Sequence, residues 1–237
     1  MAGQQLTLDL SHRPALARED FLVSPSNAAA VALVDQWPNW PTHGAVIVGA
    51  PGSGKSHLAS VWQQRTGAAL RKADTLSVDS VADDFASGSL VVEDADAAGL
   101  DERALFHALN LARQQGGFVL LTAAKPVSQW PLRLPDLVSR LKALPEATIL
   151  PPDDALLRGV LVKHFADRQI AVAEPVISFI LMRMPRSMED LRTIVGQIDA
   201  RALAEKAEVT RPFVARVLAE YAAPDLFHHD EDEPSPN

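Results

Sequence analysis

The chain reads as an α/β core built on a parallel sheet, followed by a small all-helical domain. Two observations carry this expectation. From Gly44 to Leu150 short apolar runs alternate with longer amphipathic ones, and past Pro151-Pro152 no strand-like run follows while helical periodicity continues. The runs at 45–50 (AVIVGA), 89–95 (SLVVEDA), 117–124 (GFVLLTAA) and 147–150 (ATIL) are short and rich in Val, Ile and Leu. Their continuous hydrophobicity is that of strands covered on both faces. Between them, 54–65 and 101–115 carry helical spacing, with Ala104, Leu105, Ala108, Leu109 and Leu111 forming the apolar stripe of the second. A weaker strand is expected at 68–72 and a short helix at 77–81. Repeated strand, helix and strand make an α/β architecture.

The helical part divides at its caps. Asp153 is placed to cap a helix to Arg168, and Pro175 opens another to Met184. Ser187 begins a third to Lys206, with Glu189 and Asp190 near the capping-box position. Thr210 caps a fourth, with Pro212 in its first turn, ending at Tyr221. The expected organisation is a flexible N-terminal peptide over 1–12, the α/β core over 13–150, the helical domain over 151–222 and an acidic, disordered tail over 223–237.

With 237 residues the chain can bury a sizeable core. Lys and Arg number 22 against 30 Asp and Glu, a net charge of −8, which excludes a general basic face for nucleic acid. Asp225, Asp230, Glu231, Asp232 and Glu233 follow Pro224 with no Lys or Arg among them, and without them the body carries about −3. No cysteine is present, so disulfides, thiolate zinc sites and a Cys nucleophile are excluded. No apolar run reaches membrane-spanning length and the first ten residues lack a signal pattern, so a cytoplasmic location away from membranes is expected.

The sharpest motif is Gly49-Ala50-Pro51-Gly52-Ser53-Gly54-Lys55-Ser56, which matches G-x-x-x-x-G-K-[ST] between a strand and a helix. Glycines there let successive backbone N–H groups face a phosphate chain, and the helix N-terminus adds its positive end. Lys55 is placed for the β- and γ-phosphates and Ser56 for Mg²⁺. The expected ligands are ATP or ADP with Mg²⁺. Such a loop needs an acid at the end of a neighbouring strand, and LVVED supplies Glu93 in the metal position and Asp94 in the catalytic one. The usual order has Asp first, so the longer acid precedes the shorter here. Thr122 closes the GFVLLTAA run, where a polar sensor of the γ-phosphate is expected, on a strand separated from the loop strand by the acidic one. His107, His164, His228 and His229 lack metal-site spacing, so no metal beyond Mg²⁺ is expected.

Four stretches together carry a family resemblance: DFLVSPSNAA (20–29), GAPGSGKSHLA (49–59), LVVEDAD (90–96) and LPDLVSRL (134–141). Over residues 13–222 the chain resembles the AAA+ family of the replication initiator DnaA, and more closely the family of its short paralogues, the Hda regulatory inactivators. The resemblance implies that Phe21 and Asn27 frame the adenine and that Gly49, Pro51, Gly52, Ser53, Gly54, Lys55, Ser56 and His57 surround the phosphates. It implies an arginine finger on Arg140, near the start of its helix, supplied to the ATP of a neighbouring subunit. For the second sensor, the family's arginine column falls on Glu189, and Arg186 or Arg192 on the same helix face is left to substitute, with Arg186 favoured. No basic helix follows the helical domain, so direct sequence-specific DNA binding is not expected.

Gln5-Leu6-Thr7-Leu8-Asp9-Leu10 fits the Gln-x-x-Leu-x-Leu peptides that dock on the β sliding clamp of DNA polymerase III. Leu8 and Leu10 would fill an apolar pocket while the Gln5 amide orients the peptide. Leu6, Leu8 and Leu10 also alternate as an edge strand does. Three activities therefore stand side by side. The first is a clamp-bound regulator that stimulates hydrolysis of DnaA-bound ATP and so restrains initiation, with weak ATPase activity of its own. The second is an autonomous ATPase such as a DnaC-like helicase loader, and the third a non-catalytic adaptor. Self-association is left open.

Overall fold

The structure, a computed structural model, describes residues 21–222. Gln5, Leu6, Leu8 and Leu10 lie outside the described residues, as do the acidic tail and its His228 and His229. The described chain opens with α1 (Ala28–Asp35), then β1 (Gly44–Gly49), α2 (Lys55–Thr66), β2 (Ala69–Lys72), α3 (Val81–Asp84), β3 (Ser89–Glu93) and α4 (Glu102–Gln115). It continues through β4 (Phe118–Ala123), α5 (Pro135–Lys142) and β5 (Glu146–Ile149) to four further helices, α6 (Asp154–Asp167), α7 (Glu174–Leu181), α8 (Met188–Glu205) and α9 (Arg211–Ala222).

All strand pairings are parallel, in the order β2-β3-β4-β1-β5. One expectation is overturned here. The strand bearing Thr122, β4, lies directly against β1 and separates it from the acidic β3, the reverse of the anticipated order. Sheet order is decided by the crossovers, and the runs themselves carry no trace of it.

Side chains of β1 divide by parity, as a pleated strand requires. Val46 and Val48 join α4 and α5 in one buried cluster, while Ala45 and Ile47 pack with α1 and α2 in another. The sheet is thus covered on both faces, which explains the unbroken hydrophobicity of its strands. Helices α6 to α9 enclose a third cluster around Leu161, Phe165, Ile180, Leu191, Ile194 and Val214.

Local chemistry sets the boundaries. Asp101 caps α4 by accepting from Arg103 N and Ala104 N, Asp153 caps α6 through Leu156 N at 2.7 Å, and Ser187 caps α8 through Glu189 N and Asp190 N. The short helix expected at 77–81 begins only at Val81, because Ser77 accepts the Ser80 N–H and makes a turn first. The acidic run stops being strand at Glu93, since Asp94 turns into the left-handed region at φ 54°. Among the described residues no helix is long and apolar enough to cross a membrane.

Candidate functional site

The loop between β1 and α2 is shaped by two left-handed glycines, Gly52 at φ 70° and Gly54 at φ 105°, conformations that side-chain-bearing residues disfavour. A Cβ on Gly49 would fall 2.7 Å from Ser53 Oγ and 3.2 Å from the Ile149 carbonyl, so a larger residue there would have to displace the Ser53 side chain and crowd β5. Lys55, the first residue of α2, is 8% exposed, and its Nζ donates to the carbonyls of Gly49 at 2.7 Å and Ala50 at 3.0 Å. Burial lowers its pKa, while the carboxylates of Asp94, Asp96 and Glu93 pull the other way. The first turn of α2 holds no acid, so its positive end is not neutralised from within.

The acids face this loop from β3. Glu93 ends the strand with Oε1 buried and without a hydrogen-bond partner. Asp94 is exposed, and its backbone N–H donates to Thr122 Oγ1 at 3.3 Å, while Ala95 N–H donates to the Thr122 carbonyl at 2.8 Å. Thr122 is buried at 1% exposure. Asp96 adds a second tie, accepting the N–H groups of Ala124 and Lys125 at 3.0–3.1 Å. The ends of β3 and β4 are therefore locked together beside the loop.

Phe21 meets the ring of His57 edge-on at 5.0 Å, and a Cβ on Gly54 would lie 3.5 Å from the Phe21 ring. Asn27 is buried and holds the turn that carries Phe21: its Oδ1 accepts from Ser24 N–H and its Nδ2 donates to the Leu22 carbonyl, both at 2.9 Å. From the helical side, Glu189 in the first turn of α8 abuts Gly52. Arg186 instead binds Asp154 of α6, so the favoured second-sensor arginine is engaged in an ion pair and a carboxylate stands at the loop.

The chemistry of this donor set fits a phosphate chain with a divalent cation. Buried Ser53 Oγ and Glu93 Oε1 have no partner, Lys55 supplies a cation, and the exposed Ser56 lies in the first turn of α2. Gly49, Pro51, Gly52, Ser53, Gly54, Lys55, Ser56 and His57 are contiguous in the loop and first turn of α2; Phe21, Glu93, Asp94 and Thr122 converge on the same end of the sheet.

Arg140 belongs to a different group of side chains. It lies in the last turn of α5, not near its start, because Pro135 already occupies the first helical position. Its guanidinium rests on the ring of Phe106 in α4, Cζ to centroid 4.7 Å. Sequence reasoning missed Asp96, Glu102, Phe106 and Asp154 as partners of these groups. Among the described residues no cluster of His, Asp or Glu could hold a metal by itself, and His164 is held neutral, its pKa pushed down to about 4 by burial and then by Arg168 and Arg192.

The geometry defines an AAA+-type P-loop core with a helical lid, and the comparisons agree. Domain III of the Thermotoga maritima initiator DnaA superposes with a TM-score of 0.75 at 18% identity, covering 89% of this chain and 98% of that one. AMPPCP-bound DnaA from Aquifex aeolicus gives 0.69 at 15% identity, covering 88% and 70%. In sequence, DnaA of Thermomicrobium roseum is 27% identical over 273 residues, an alignment that takes in 96% of this chain and 57% of that protein. The chain thus spans little more than half the length of that relative. Residues 154–218 match the family model described as Hda, lid domain. Over 154–218 the chain is thus similar to an Hda lid, and its overall fold is that of DnaA domain III.

Proposed function

We propose that this protein is a cytoplasmic regulator of replication initiation that binds the β sliding clamp and accelerates hydrolysis of DnaA-bound ATP. The observation that carries this reading is an Hda-type lid joined to a core alike in fold to DnaA domain III. In this reading the loop from Gly49 to Ser56 holds ATP or ADP, Ser56 and Glu93 hold Mg²⁺, and Phe21 and Asn27 border the base. The Mg²⁺ supplies charge neutralisation at the phosphates. Asp94 and Thr122 stand ready for water and γ-phosphate, but the protein's own turnover is weak, because the acids come in the order Glu then Asp. A nucleotide held by the loop would lie beside the lid, because Glu189 abuts Gly52.

The working group toward DnaA is Arg140, a fixed cation offered to the phosphates in a neighbouring subunit. Gln5, Leu6, Leu8 and Leu10 form the clamp-docking peptide, and recruitment to DNA comes from the clamp instead of from base contacts by this chain. The test follows labelled ATP on DnaA while this protein, clamp and DNA are added in turn. Acceleration that requires both this protein and the clamp is expected. An unchanged DnaA rate in the complete mixture would overturn the proposal.

A further inference from the structure

Helix α5 has no cap of its own. Its N-cap residue is Leu134, which offers no side-chain acceptor, and Pro135 follows. Glu102, in the first turn of α4, supplies what is missing: its carboxylate accepts the N–H of Leu134 at 2.7 Å and that of Arg133 at 3.0 Å. This negative charge also sits at the positive end of the α5 dipole. Four residues on, and so on the same face of α4, Phe106 lies under the Arg140 guanidinium in the last turn of α5. One helix thus grips the other at both ends, with Leu137 and Leu141 buried between.

The choice of partner matters. Arg71, Arg158, Arg168, Arg186, Arg201 and Arg216 each pair with an Asp or Glu, whereas Arg140, like Arg183 and Arg211 over Phe179, rests on a ring and has no carboxylate ion pair among the described residues. A ring face orients a guanidinium without cancelling its formal charge. An Arg held this way keeps its charge for an incoming anion and has less rotamer freedom to lose on meeting it.

We propose that Glu102 and Phe106 are positioning residues that present the Arg140 guanidinium, unneutralised, to a phosphate bound by a second protein subunit. The inference rests on the reading of Arg140 under Proposed function. Glu102 sets where α5 begins, and Phe106 sets the direction of the side chain one helix-length later. Neither touches the phosphate.

The decisive comparison is Phe106→Leu, which keeps apolar bulk without a ring face, against Phe106→Tyr, which keeps the face. Hydrolysis of DnaA-bound ATP is measured with clamp and DNA over a range of regulator concentrations. Phe106→Leu is expected to lower the maximal stimulated rate about tenfold while leaving the half-saturating concentration unchanged, and Phe106→Tyr to restore it. Glu102→Gln, which retains an acceptor, is expected to lose less than Glu102→Ala. In an Arg140→Ala background Phe106→Leu should change nothing further. Independently of DnaA, the Arg140 Nε–H proton resonance should be displaced by the ring and return to the value of a solvent-exposed arginine in Phe106→Leu. If Arg140→Ala abolishes stimulation but Phe106→Leu matches wild type, the positioning role is overturned and the functional reading stands. If Arg140→Ala itself stimulates normally, the functional reading falls and takes this inference with it.

Discussion

Gly52 of the phosphate-type loop and Glu189 of the lid helix α8 are in direct apposition: a Cβ on Gly52 would fall 2.6 Å from Glu189 Cβ and 3.1 Å from its backbone nitrogen. Loop and lid therefore meet at a point where only glycine fits. A side chain at Gly52 is opposed twice, by the left-handed φ of 70° and by this contact. Gly52→Ala is expected to destabilise by about 1–3 kcal/mol. Glu189→Gly removes the Cβ overlap but neither the close approach to the backbone nitrogen nor the backbone strain, so a double-mutant cycle by denaturant unfolding should show a favourable coupling that recovers part of the loss. Strictly additive effects would mean the lid shifts away without cost.

Lys55→Ala removes a buried cation that donates to the loop's own carbonyls. Wild-type protein should gain about 2.7 kcal/mol of stability at a nucleotide concentration one hundred times its dissociation constant, and the variant none. Calorimetric titration with ATP or ADP and Mg²⁺ checks this. Equal affinity of the two proteins would remove the loop from the binding site.

His164 makes the lid sensitive to acid. Burial, then Arg168 and Arg192, lower its pKa to about 4 from the ordinary 6.5. The unfolded chain takes up this proton at a higher pH than the folded one, so stability is complete above about pH 6.5 and falls as pH drops toward 4. The side chain is only partly shielded, so the loss from this group should stay within about 2 kcal/mol. Unfolding free energies of wild type and His164→Gln between pH 7 and 4.5 should converge as the pH falls. Parallel curves would show that His164 titrates alike in both states.

The parallel core was legible because doubly covered strands are apolar at every position, as 45–48 and 90–92 are. Strand order was not, and the Thr122 strand fell on the unexpected side of β3, because each run specifies its burial and not its neighbour. Helix α1 escaped notice: Ala28–Asp35 is apolar almost throughout and shows little helical periodicity. The loop from Gly49 to Ser56 stood out because its eight residues are contiguous. Asp96, Glu102 and Phe106 did not, since they act across the fold; Asp96 reaches 29 positions to Lys125 and Glu102 reaches 32 to Leu134. In the sequence Glu189 stands only where an arginine is expected, and its place against Gly52 is a tertiary fact.

Gln5→Ala combined with Leu8→Ala removes the amide and one apolar anchor of the N-terminal pattern. The double variant should lose clamp binding in a pull-down while keeping its thermal midpoint and nucleotide affinity. A fall in midpoint would assign the segment to the fold as a packed strand, and retained clamp binding would remove the docking reading.

Arg140→Ala separates the regulator from an adaptor that merely brings DnaA to the clamp. Arg140 rests on Phe106 with no carboxylate partner among the described residues, so its loss should cost the fold no more than about 1 kcal/mol. As a transition-state cation it would carry a factor of about 10³–10⁵ in rate. The two roles are far enough apart that one measurement decides between them: single-turnover hydrolysis of labelled ATP on DnaA, with wild-type or variant protein loaded on clamp. The stimulated rate should fall by orders of magnitude while clamp binding and nucleotide affinity hold. Arg140→Lys should rescue poorly, because a point charge replaces the planar fork and the ring contact that aims it weakens. If the stimulated rate is unchanged in Arg140→Ala, the guanidinium is a packing group on Phe106, and recruitment alone must account for any effect on DnaA.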